Sequence, residues 1–190
     1  MVSDATQRTS KQRVARLGLL PREMLVKTGP HDHAGWNYEA LLGYLQRQRF
    51  HLARRLLPTR RVDRILEIGY GSGIFMPELR QHCDRLDGVD VHQRKDEVTG
   101  KLRHAGVSAT LHTASAEELP FENRTFDVVV AVSTLEFVDD ISRSVCEISR
   151  VLRPGGAAVA VIPGDHPLLD WHSGRRATAT RYLQRPIARG

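Results

Sequence analysis

Between residues 65 and 74 an apolar run, Ile65-Leu66-Glu67-Ile68, gives way to glycines at 69, 71 and 73, interleaved with Tyr70 and Ser72 and followed by Ile74. An apolar stretch that ends in an acid and then in alternate glycines reads as a buried strand turning sharply into a helix. Glycine tolerates positive φ and lets a ligand come close to the backbone, and the free N–H groups of a following helix would face the same spot. The turn is therefore read as the seat of a small nucleotide-like ligand.

Spacing narrows the class. A dinucleotide fingerprint wants glycine or alanine three residues after its second glycine, for close packing of helix on strand. Ile74 puts a large β-branched side chain there. Downstream, Leu86-Asp87-Gly88-Val89-Asp90-Val91 is strand-like, and its apolar part ends at Asp90. That is about 20 residues beyond the turn, where a Rossmann-like unit presents an acid to ribose hydroxyls. Then come Ala114-Ser115-Ala116-Glu117-Glu118-Leu119-Pro120-Phe121, Phe126-Asp127-Val128-Val129-Val130, Ser133-Thr134-Leu135-Glu136-Phe137-Val138, and Arg150-Val151-Leu152-Arg153-Pro154-Gly155-Gly156. Together, over residues 62 to 163, these ordered motifs resemble the class I S-adenosylmethionine (SAM)-dependent methyltransferases of the type 11 family. They are most similar to its small-molecule branch, which includes quinone-pathway C-methyltransferases.

The resemblance implies SAM as cofactor and a small molecule as methyl acceptor. It places Glu67 at the cofactor's amino end, with Gly69, Gly71 and Gly73 against the methionine and ribose portions. It puts Asp90 on the ribose, Ser115 and Ala116 at the adenine, and the backbone around Ser133 on the methionine side. The chain departs from the family pattern at three of these motifs. Ser115 stands where an aspartate most often accepts from the adenine amino group, Tyr70 replaces a small residue between the glycines, and Phe137 replaces a frequent histidine. A hydroxyl still accepts, but it is uncharged and shorter.

With 190 residues, 41% hydrophobic and 26% charged, the chain is long enough for one sizeable core and too short for two domains of usual size. No apolar run approaches the ~20 residues that cross a bilayer, and the first residues lack the apolar core of a secretory signal, so a cytoplasmic enzyme is expected. Cys83 and Cys146 fall in segments read as helices and are expected as buried or half-buried free thiols. His31-Asp32-His33 lacks a third ligand and is read as a solvated loop, so no metal site is expected. The net charge of +6 raises nucleic acid as a partner. The arginines lack interleaved aromatics, however, and solvated helix faces are the favoured reading.

The chain divides into an amino-terminal basic segment with an amphipathic helix (1–60), a SAM-binding core (61–163) and a short basic tail (164–190). Tyr38, Leu41, Leu42, Leu45, Leu52 and Leu56 recur at helical steps over 37–57. The predicted elements after that are strand 64–68, helix 72–82, strand 86–91, helix 93–105, strand 108–113, strand 126–132, helix 139–152 and strand 156–162. Alternation of this kind predicts an α/β fold, Rossmann-like and doubly wound, its sheet mostly parallel with helices on both faces. Gly71, Asp90, Ser115 and Ser133 should then converge at the carboxyl ends of the strands. The family's final hairpin is not legible after Pro163, which predicts truncation and a strand-five edge that the tail or a second subunit must cover.

If the chain is active, its part in the reaction is alignment and exclusion of water around a methyl donor that brings its own leaving group. Glu136 is the nearest base by position, read alternatively as a solvated or helix-capping glutamate; His31, His33 and His166 are weaker. No Asn/Asp-Pro-Pro-Tyr motif follows strand four, which favours O- or C-methylation of a small molecule. A SAM-binding protein with impaired or no catalysis, and a nucleotide-dependent oxidoreductase, stay open as alternatives.

Overall fold

The computed structural model describes residues 16–30 and 32–162. Five parallel strands, β1 (Val62–Ile68), β2 (Cys83–Asp90), β3 (Thr110–Thr113), β4 (Phe126–Val132) and β5 (Leu152–Val161), form one sheet in the order β3-β2-β1-β4-β5. The expected Rossmann-like doubly wound arrangement is what the strand order shows. After β3 the chain crosses back over β1 to start β4, so the order reverses between β1 and β4. Ligands of open α/β sheets bind beyond the carboxyl ends of the strands at such a reversal.

Each face of the sheet carries its own apolar core. On one face α1 (Ala40–Leu56), α2 (Met76–Leu79) and α3 (Lys95–His104) bring Phe50, Ala53, Met76, Leu79, Val98 and Leu102 against Ile65, Leu86, Val128 and Val159. The amino-terminal segment joins this core through Leu20 and Val26, with Leu20 N–H bonded to Ile74 O at 2.9 Å. On the other face α4 (Ile141–Val151) sets Ile148 and Val151 on Leu66, Ile68, Val129 and Ala160. β1 and β4 lie between these layers, which is why they read as nearly unbroken apolar runs.

No helix links β3 to β4. The loop 114–125 is instead clamped to α4, chiefly by Arg150, whose guanidinium donates to Leu119 O, Phe121 O, Asn123 Oδ1 and the Glu147 carboxylate at 2.7–3.0 Å. Glu147 in turn accepts from Leu119 N–H at 2.8 Å. An otherwise irregular segment thus has its backbone groups satisfied and its position beside β2 fixed.

Several expectations need correction. The helix expected over 72–82 is one turn, Met76–Leu79, because Gly73 at φ +74° cannot continue a right-handed helix and the chain only becomes helical after it. Cys83 opens β2 rather than lying in a helix, and Cys146 is exposed while Cys83 is buried. Burial pushes the Cys83 thiol up to about 11. β5 begins at Leu152, directly after α4, and the Pro154-Gly155-Gly156 turn is a bulge inside it. Phe126 pairs with Leu152 but Val128 with Ala157, and Gly155 takes φ +80°. The expected absence of a final hairpin, the tail, His31 and His166 lie outside the described residues. No helix among the described residues is long and apolar enough to cross a membrane.

Candidate functional site at the carboxyl edge of the sheet

β1 ends at Ile68, and the chain turns back through Gly69 (φ +73°) and Gly71 (φ +50°), conformations that a side chain makes costly. A Cβ on Gly69 would come within 2.1 Å of Thr134 Oγ1, so the β4 loop can approach β1 only because this residue has none. A Cβ on Gly71 would meet nothing within 4 Å, and the turn is open to a ligand there. The expected helix N-terminus is not part of this seat, since α2 starts only at Met76.

Asp90 closes the turn from β2. Gly71 N–H donates to Asp90 Oδ2 at 2.8 Å and His92 N–H to Asp90 Oδ1 at 3.3 Å, leaving one acceptor position on each oxygen for a ligand hydroxyl. The His92 ring donates from Nε2 to Gly71 O at 3.0 Å and accepts Arg94 N–H on Nδ1 at 3.0 Å. Gly71 is therefore gripped at both its amide and its carbonyl. His92 was not legible as a site residue; its only signal is its place two residues after the acid.

Glu67, the acid before the glycines, is buried, and its Oε2 has no partner. Desolvation, reinforced by the charge of Asp90, holds its carboxyl well above the usual glutamate range. Ser72 Oγ in the same turn is also buried and unpartnered. A carboxyl whose folded pKa is raised keeps a proton that the unfolded chain releases. Stability is therefore lost as pH climbs from about 4.3, the unfolded value, through the folded one. Glu67→Gln removes that titration. Its melting temperature should exceed that of the parent protein by more at pH 8 than at pH 5, at about 2–4 °C per kcal/mol for a chain of this size. A gap of equal size at both pH values in thermal unfolding would contradict the assignment.

The remaining predicted residues lie at the same edge. Ala114 N–H bonds Asp90 O at 3.0 Å and brings Ser115 and the buried Ala116 beside the acid. Ser115 Oγ accepts Glu117 N–H at 3.1 Å, which keeps the hydroxyl hydrogen available to a ligand. Ser133 adopts φ +54°, with its N–H on Val161 O at 2.7 Å. Gly73 serves the turn from behind: a Cβ there would press on Leu102 and Val98 of α3 at 3.1–3.3 Å.

Two charged groups complete the edge. Arg49 of α1 donates from Nη1 to Ser133 Oγ at 3.2 Å, lies over the Phe50 ring at 4.8 Å, and has a buried Nε without a partner. Burial pulls the guanidinium down to about 10, opposed by the carboxylates of Glu136 and Asp32, so it stays charged at neutral pH. Sequence reasoning missed it. Its signal was an arginine on the apolar stripe of the helix, four residues after Leu45 and three before Leu52. Glu136 is half-buried rather than freely solvated. Its Oε2 is buried and unpartnered, and burial raises its pKa against the pull of its own backbone N–H and of Arg49. His33 lies apart, its ring stacked on Trp36 at 4.0 Å. No group of three metal-ligating side chains occurs among the described residues.

A family model described as "Methyltransferase domain" matches residues 66–160, half of the chain, from the middle of β1 nearly to the end of β5. The chain belongs to this methyltransferase domain family. The domain is similar to a sterol 4-C-methyltransferase of Caenorhabditis elegans, 32% identical over 109 residues that cover 56% of this chain and 32% of the relative. It is also similar to the 27-O-demethylrifamycin SV methyltransferase of Amycolatopsis mediterranei, 31% identical over 158 residues, 78% of this chain and 56% of that one. In fold it resembles geranyl diphosphate methyltransferase, solved with GPP and sinefungin. That match has a TM-score of 0.60 at 20% identity and covers 85% of this chain and 64% of the other. The chain spans from about a third to somewhat over half of the length of the curated relatives it matches.

Proposed function

We propose that the chain binds SAM at the carboxyl edge of its sheet and transfers the methyl group to an oxygen or carbon of a small-molecule acceptor. The observation that carries this reading is the Asp90–Gly71–His92 arrangement. It holds an open glycine turn beneath a carboxylate with two spare acceptor positions, as the diol of an adenosine ribose requires. The buried, unpartnered atoms of Glu67 and Ser72 sit on the same turn and fit a ligand that brings its own donors and acceptors.

In this reading Gly69, Gly71 and Gly73 shape the seat, Asp90 takes the ribose, Ser115 and Ala116 flank the adenine, and Glu67 and Ser133 face the methionine part. Arg49 joins them. A guanidinium with one donor on Ser133 and a buried unpaired Nε is suited to a carboxylate, and the methionine end of SAM carries one. When bound, SAM supplies a sulfonium methyl together with a neutral thioether leaving group. The protein contributes alignment and a dry surface rather than covalent chemistry.

Calorimetric titration with SAM and, separately, with NAD tests the reading; binding of NAD alone would end it. Arg49→Met should weaken SAM about 10–100-fold, the worth of one charge-assisted contact. The same variant should leave 5′-methylthioadenosine, which has no carboxylate, nearly unaffected. Equal losses for both ligands would remove Arg49 from the methionine end.

A further inference from the structure

Glu136 Oε2 is buried without a hydrogen-bond partner, in the short turn Leu135–Phe137 that follows the left-handed Ser133. The turn is held by Leu135, buried in the core beneath α4. Charge reaches the carboxyl from Arg49 on α1, which feels Asp32 as well. Asp32 itself is occupied by Thr28 and Ala34 N–H. A buried carboxylate oxygen with nothing to accept from is costly.

Resting on the methyl transfer proposed above, we infer that Glu136 is the proton acceptor for the methyl-receiving substrate, and that this substrate presents an acidic O–H, a phenol or an enol. An ionised carboxylate only accepts, so it selects a partner that donates. A phenol or enol meets that need, and it becomes a competent nucleophile once the proton is gone. In the step, the acceptor O–H bond breaks, its electron pair stays on the acceptor, and the proton moves to Glu136. That electron pair, on oxygen or delocalised to the enol α-carbon or an ortho ring carbon, forms the new bond to the methyl carbon as the methyl–sulfur pair departs with the thioether; where a ring carbon is methylated, its C–H proton is then lost to water and the ring regains its phenol. Glu136 then loses its proton to water. The carboxyl is poised for this because burial raises its affinity for a proton while Arg49 keeps the ionised form accessible.

The test uses the full chain with S-adenosylhomocysteine and two chromogenic acids, 4-nitrophenol and 4-nitrocatechol, at a pH below their own ionisation in water. The bound probe should show the phenolate absorbance band, and Glu136→Gln should reduce that band at least ~10-fold, one pKa unit of lost proton affinity. With a phenolic acceptor, Glu136→Gln should lower kcat about 10²–10⁴-fold, and Glu136→Asp should fall between the two. SAM affinity should stay within about threefold, less than one charge-assisted contact is worth. Circular dichroism confirms that each variant folds. A bound probe that stays un-ionised, a band unchanged in Glu136→Gln, or turnover confined to alkenes with no O–H would overturn the inference. Failure of SAM and S-adenosylhomocysteine to bind at all would instead strike the proposed function.

Discussion

Asp90→Ala should weaken SAM about 10²–10⁴-fold, because it removes two charge-assisted acceptors for the ribose hydroxyls, each worth about 1.5–3 kcal/mol. It also releases Gly71 N–H, which bonds the carboxylate at 2.8 Å, and so loosens the seat before the ligand arrives. Asp90→Asn separates the two contributions. Its amide oxygen can still hold one backbone donor, so the turn should survive while the charge is lost, and its affinity should fall between alanine and the parent protein. Isothermal titration with SAM and S-adenosylhomocysteine is the measurement. A change below threefold for both variants would mean that the sugar is not bound by this acid.

The largest effect on stability is expected at a charge cluster that runs from the middle of β2 toward the amino ends of the strands. Asp87 on β2 is 3% exposed and takes Arg64 of β1 in a bidentate pair, Nε to Oδ2 at 2.7 Å and Nη2 to Oδ1 at 2.8 Å. The same guanidinium lies over the Phe126 ring at 4.9 Å, and His112 approaches Asp87 from β3 at 3.7 Å. Neighbouring charges continue the ladder. Asp127 accepts from Arg64 N–H and from Arg153, and Asp63 takes Arg85 and Arg153. Asp87→Ala leaves Arg64 unpaired on a face that has no covering helix between β3 and β4. Breaking a buried pair costs about 3–5 kcal/mol, and the lower end applies because Arg64 can still reach water. The melting temperature should drop by roughly 6–12 °C. Arg64→Met with Asp87→Ala should recover much of that loss, since two apolar groups need no partners. Equal melting temperatures for Asp87→Ala and the parent protein would show that the pair is only decoration.

The sheet was legible wherever burial on both sides made a strand apolar, as in Leu66-Glu67-Ile68 and Val128-Val129-Val130. It was not legible where cross-strand charges replace apolar contact. Cys83-Asp84-Arg85 belongs to β2 because Arg61 reaches Asp84 and Asp63 reaches Arg85, an arrangement with no apolar period to detect. The turn after β1 was located but its continuation was overread, since Ser72 and Ile74 on either side of Gly73 gave no warning that it would break the helix. Around the turn, Glu67, the glycines and Asp90 were read from consecutive motifs, while Ser72, whose hydroxyl is buried in the turn, was not. The two that reach it from elsewhere, Arg49 from α1 and the His92 ring, were not. Proximity of that kind is set by how helices lie on the sheet, and a single sequence records it only as a charge out of place on a greasy face.

Tyr70, 2% exposed, lies against β2 where Gly88 leaves room, and a Cβ at 88 would stand 2.9 Å from the tyrosine ring, 2.9 Å from Leu111 and 2.4 Å from Met76. The ring also meets His92 edge-on at 4.9 Å, so the large residue between the first two glycines backs the histidine that grips Gly71. Gly88 thus makes room for Tyr70, Met76 and Leu111 together. Shrinking residue 70 would open a void under the glycine turn, while any side chain at 88 would have to displace Met76 and Leu111 as well as the ring, so a smaller residue 70 alone would not make position 88 permissive.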